Sequence, residues 1–229
     1  MAILYDRFNK KNTNMKKIIF PTVIITSLFL TSCGENNKDK NDTAINSEPI
    51  CFYEYTKTSS ATVNWTAFKT TAKVGVGGTF NQVMVKGGEK STKITDVLSN
   101  ITFTIVTGSI FSKNEERDPK IVNSFFGAME ATDLIIGHTK SVEGNNESGT
   151  CTFYLTLNNI EKEVTLDYKV NDNKVSLTGE IDLANWNGDD AIASLNKVCE
   201  DLHKGEDGVS KLWSIVELTI EANLDKNCN

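Results

Sequence analysis

Five cysteines, two histidines and one arginine–aspartate pair hold most of the bond-forming capacity of this 229-residue chain. Their spacing decides what that capacity is for. Cys33 closes the segment Leu30-Thr31-Ser32-Cys33, behind an apolar-to-neutral run over 18–30 and the basic pair Lys16-Lys17. Basic residues, a short apolar run and small residues before a cleavage point make an export signal. Cleavage there leaves Cys33 as the first residue. The run of 13 residues is shorter than the roughly 20 that a spanning helix needs, so an uncleaved anchor is the weaker alternative. Met15 is then a candidate start, because residues 1–14 have no part in such a signal.

The segment resembles the signal of bacterial lipoproteins, which implies a diacylated Cys33, anchorage to the outer membrane and a cell-envelope address, periplasm-facing or surface-exposed. A cysteine with two or three chains exceeds the single acyl chain that binds membranes only marginally. Removing residues 1–32 takes away five basic and one acidic side chains, so 19 basic stand against 29 acidic, a net charge of −10 on 197 residues. An acidic balance argues against nucleic acid and against a basic patch on anionic headgroups. Residues 34–49 are nearly all polar and cannot bury enough surface to order themselves. The reading is therefore a signal peptide over 1–32, a lipidated tether over 33–59 and one domain over 60–226.

Cys51, Cys151, Cys199 and Cys228 remain, an even number in an oxidising compartment, and disulfides are the favoured reading. Buried free thiols packing as small hydrophobes are the alternative. No two of them have the close spacing of zinc ligands, and His138 and His203 stand alone. No metal or cofactor is expected. Catalytic signatures are also missing: there is no Gly-x-Ser-x-Gly, no His-Glu-x-x-His, and the carboxylate pairs Glu115-Glu116 and Asp189-Asp190 read as caps or solvated charge. The chain reads as a non-enzyme.

The elements that position these residues follow from periodicity. Apolar residues alternate at 63 and 65, at 74, 76 and 80, at 101–105, 153–157, 164–170, 175–183 and 216–224. Period two means strands with one buried face, and Asn-Asn, Asn-Asp-Asn and Gly-Gly between them mean turns. Seven or eight such strands predict an all-β antiparallel barrel of about eight strands. One or two short helices sit at its mouth. Asp118-Pro119 ahead of Ile121, Val122, Phe125 and Phe126 reads as a capped helix. Ile192, Leu195, Val198, Cys199 and Leu202 form a single stripe behind Asp189 or Asp190 and ahead of Gly205. Gly75, Gly77 and Gly78 lack the Lys-Ser/Thr pair of a phosphate loop and read as bulge or turn glycines.

In a closed meander the first and last strands are antiparallel neighbours. Cys51 before the first and Cys228 after the last therefore fall at one end and are expected to pair, leaving Cys151 for Cys199; the alternative is Cys51 with Cys199, since Cys51 lies about ten residues before the first strand.

Four segments in order carry a resemblance: Val63-x-Trp65, Val76-Gly77-Gly78-Thr79-Phe80, Glu116-Arg117-Asp118 ahead of Phe125-Phe126, and Leu157-x-x-Ile160-Glu161-Lys162-Glu163-Val164-Thr165-Leu166. Over residues 60–224 they resemble the YceI-like family. The resemblance implies a lipocalin-like barrel whose apolar pore holds a polyisoprenoid or similar chain lipid. Pro119-Lys120-Ile121 departs from the family's usual residues after Arg-Asp, and the helix over 189–205 is an elaboration. A barrel of about eight strands either fills with side chains or holds one slender ligand. Trp65, Phe80, Phe103, Phe153 and Tyr168 are the rigid groups expected inside, with Phe125 and Phe126 at the mouth. Arg117 is the candidate for a phosphate or carbonyl head group, and Asp118 for the helix cap. The expected function is non-catalytic binding or carriage of an isoprenoid or other chain lipid. A filled, ligand-free structural or interaction module is the alternative.

Overall fold

A computed structural model describes residues 49–229. The signal, Cys33 and the polar stretch to residue 48 lie outside them. The chain enters through β1 (Cys51–Glu54), then β2 (Ser60–Lys69), β3 (Val74–Phe80) and β4 (Val83–Lys86). Helix α1 (Ile94–Ser99) precedes β5 (Thr102–Val106) and β6 (Ile110–Phe111). Helix α2 (Arg117–Lys120) runs into a π-helical turn (Ile121–Phe125) and a 3-10 turn (Phe126–Ala128). Then come β7 (Leu134–Gly144), β8 (Ser148–Leu157), β9 (Ile160–Asn171) and β10 (Lys174–Asp182), followed by α3 (Asp189–Val198), β11 (Leu212–Asn223) and β12 (Asp225–Cys228).

Ten strands form one curled antiparallel sheet in the order β4-β5-β7-β8-β9-β10-β11-β2-β3-β6. This is the expected mostly-β, lipocalin-like class, with more strands than the expected eight. The additional ones carry little alternation. β4 and β6 are short, and β7 is apolar on both faces, with Leu134 and Ile136 exposed and Ile135 inward. The anticipated neighbours, β2 and β11, pair from Ser60 opposite Asn223 to Lys69 opposite Leu212. The two ends of the sheet are brought together because β3 continues into β4 through Asn81 and Gln82. The Asn81 and Gln82 amides donate to the carbonyl and hydroxyl of Ser109 (2.9 and 3.0 Å), and Val106 N–H donates to the Gln82 carbonyl (3.1 Å). Between β8 and β9, Asn158 and Asn159 both have positive φ (52° and 55°), the two-residue geometry whose twist matches the flanking strands.

The two ends of the curl differ. One is packed shut: Ile94 and Val97 of α1, Cys151, Tyr168 and Val175 have at most 1% exposure. Tyr168 donates its hydroxyl to the Asn145 carbonyl (2.7 Å), and Ile94 N–H donates to Asn146 Oδ1 (2.8 Å), tying α1 to the β7–β8 turn. The β1–β12 ribbon lies at this end and carries the expected Cys51–Cys228 disulfide. Residues 51–54, read from sequence as tether, are thus strand.

The second expected bond is absent, and Cys151 and Cys199 are buried free thiols. Cys151 lies six residues before Leu157 on β8, roughly 20 Å from the strand end that α3 overlies at about 3.3 Å per residue. Burial pushes the Cys151 thiol up to about 12, against a hydrogen bond with Thr139. It behaves as a packed apolar group.

Candidate ligand cavity and its mouth

Inward-facing residues of nine strands converge on a cavity of about 180 Å³ lined by aliphatic and aromatic side chains. Six of the expected residues line it: Trp65, Phe80, Phe103, Phe125, Phe126 and Phe153. Phe103 meets Phe153 edge-on (centroids 5.8 Å apart), and Phe125 meets Phe126 in the same way (5.1 Å). Both of the latter reach inward because the helix changes from π to 3-10 winding between them, which re-aims successive side chains.

Two glycines make room for rings. A Cβ on Gly78 would stand 2.5 Å from Cζ2 of Trp65, and one on Gly137 would stand 2.2 Å from Cζ of Phe103. Gly75, Gly77 and Gly78 are accordingly regular residues of β3 paired with β2, not bulge or turn positions. Tyr168 does not line the cavity. It plugs the packed end, where its hydroxyl is satisfied by backbone.

Sequence reading missed Ile135, Leu212 and Trp213. A register irregularity between Leu212 and Val216 lets the adjacent Leu212 and Trp213 both join the wall, which simple alternation forbids. α3 contributes Ile192 and Leu195 as cover. Its N-terminal position is Gly188, so Asp189 and Asp190 are first-turn residues and not caps, and the helix ends at Val198 before a 3-10 turn (Glu200–Leu202).

Above the cavity lies a second hollow of about 220 Å³ that shares Trp65, Ala67, Ile121, Leu195 and Leu212 with it. Its other walls include Lys69, Glu116, Arg117, Lys120, Cys199 and His203. Arg117 is held by α2, whose first amides are capped by Asn114: its Oδ1 accepts from Glu116 N–H (3.1 Å) and Arg117 N–H (2.9 Å). Asp118, expected to be the cap, instead accepts from the Ser112 amide (3.0 Å) and hydroxyl (2.5 Å), fastening α2 to the strand before it. Lys69 donates to the Leu202 carbonyl (2.8 Å).

His203, also missed, is buried, with Nδ1 2.9 Å from Asn196 Oδ1. Ser210 donates to the same oxygen (3.1 Å), so Nδ1 carries the hydrogen. Burial, then the positive charges of Lys69 and Arg117, bring its pKa down to about 4. His203 is therefore neutral near pH 7, and the positive charge here belongs to Lys69, Arg117 and Lys120. The indole Nε1 of Trp65, buried at the junction, has no hydrogen-bond partner.

Among the described residues no three His, Cys, Asp or Glu side chains are grouped to hold a metal ion, and no helix is long and apolar enough to cross a membrane. A family model described as the YceI-like domain matches residues 53–224. A polyisoprenoid-binding domain from Saccharophagus degradans, implicated in plant cell wall breakdown, superposes with a TM-score of 0.52 at 10% identity, covering 79% of this chain and all of that one. BcnA of Burkholderia cenocepacia superposes with a TM-score of 0.50 at 12% identity, covering 72% of this chain and 96% of that one. Comparison with curated proteins finds no match.

Proposed function

Because this chain belongs to the YceI-like domain family, we propose that it binds and carries an apolar chain lipid, isoprenoid or fatty-acid-like, without chemistry on it. The cavity carries this reading: a chamber walled by aliphatic and aromatic side chains favours an apolar chain over a polar metabolite. Transfer of each methylene from water is worth roughly 0.8 kcal/mol, so a long chain supplies the driving force with few polar contacts. The polyisoprenoid-binding description of the Saccharophagus degradans domain supports the same class of ligand here. In this reading the export signal and Cys33 add a lipid anchor that keeps the carrier at the outer membrane.

The test is native mass spectrometry and solvent extraction of the purified protein, before and after Phe103→Trp. A bound chain lipid in the parent protein that is diminished by the larger ring supports the carrier. Clean protein that also refuses added prenol and fatty acid favours a filled structural module.

A further inference from the structure

The mouth hollow differs chemically from the chamber beneath it. Three cationic side chains, Lys69, Arg117 and Lys120, face it against one carboxylate, Glu116, in a chain whose overall charge is −6. Among the described residues the Arg117 guanidinium has no ion-pair or hydrogen-bond partner, although the side chain is half-buried and lines the hollow. Directly below, Trp65 presents a buried N–H that nothing accepts, and such a group costs free energy unless something fills it. Trp65 borders both spaces, so an oxygen placed at the throat is continuous with a tail in the chamber. His203 supplies no charge of its own near neutral pH, and its Nδ1–H is already engaged by Asn196.

We infer that the carried lipid is an amphiphile with an anionic head, a carboxylate or a phosphate, held by Arg117, Lys69 and Lys120 in the mouth hollow, with a head or linking oxygen accepting from Trp65 Nε1. This rests on the chain-lipid reading above and adds the head group to it. Arg117 offers the paired donors that carboxylate and phosphate oxygens match, and the lysines add point charge.

Binding is measured by calorimetry, below the critical micelle concentration, with oleate against oleyl alcohol and geranylgeranyl phosphate against geranylgeraniol. Each anion should bind about tenfold to a hundredfold more tightly than its alcohol, the worth of a hydrogen bond to a charged group. Arg117→Gln should erase most of that ratio while leaving the alcohols unchanged, and Arg117→Lys should restore part of it. Trp65→Phe, which keeps a ring over Gly78, should weaken anion binding several-fold. The anion with the larger ratio identifies the head as carboxylate or phosphate. Equal affinity for anion and alcohol, insensitive to Arg117→Gln, overturns the head-group assignment and leaves the apolar carrier standing. No binding of any of the four overturns both.

Discussion

Acid should weaken this fold through one buried side chain, His203. His203 has its pKa lowered from 6.5 to about 4 because it is buried beside Lys69 and Arg117. For a group with a depressed folded pKa, stability is complete above the unfolded value and is lost as pH falls, because the unfolded chain takes up the proton first. The window here is 6.5 down to about 4. At about 1.36 kcal/mol per pKa unit the full drop is an upper figure of about 3 kcal/mol. Water at the open side of the mouth hollow reduces it to about 2 kcal/mol.

The clean comparison is with His203→Phe, which keeps a buried ring and leaves Asn196 Oδ1 its bond from Ser210. Unfolding free energies from urea titrations at pH 7.5 and 4.5 are subtracted between the two proteins, so that slopes common to both cancel. The parent should lose about 2 kcal/mol more than the variant over that interval, or about 4 to 8 °C in melting temperature for a domain of this size. Parallel curves would mean that His203 titrates as it does in the unfolded chain, and the hollow would then be far wetter than its geometry implies.

Gly137→Ala places a methyl against both Phe103 Cζ and the Tyr154 carbonyl. It should cost about 1 to 3 kcal/mol in thermal unfolding and, by driving the ring inward, lower the lipid recovered on extraction. Replacing Cys51 and Cys228 together with serine opens a link between residues 177 apart and should remove up to about 5 kcal/mol in urea unfolding by loop entropy. Cys33→Ser should move the protein from the membrane to the soluble fraction and abolish acyl labelling; a variant still labelled refutes the export reading.

What the sequence made legible was whatever repeats with period two. Trp65, Phe80, Phe103 and Phe153 were identifiable as interior because each lies on the buried face of an alternating strand. β7 was invisible because its outer residues, Leu134 and Ile136, are as apolar as its inner Ile135. Tyr168 has the right parity but the wrong height, and alternation says which face a residue takes, not which end of the curl. The Cys151–Cys199 pairing came from elimination once Cys51 was given to Cys228, and elimination carries no information about distance along the sheet. Cys51 with Cys228 succeeded because it depended on topology alone. His203 gave no signal, since its environment is assembled from β2, α2 and the loop after α3.

The α3 segment sits between two strands that need no help from it. β10 and β11 are joined in continuous register from Lys174 opposite Asn223 to Asp182 opposite Ile215. Residues 187–211 thus form an interchangeable cassette spliced into the tip of a hairpin, and a tight turn could replace them without breaking a bond of the β10–β11 ladder. The cassette brings its own share of the chamber's cover, Ile192 and Leu195, together with His203. Grafting the corresponding loop of a relative should therefore exchange cargo preference as a portable trait while the strands beneath keep their register.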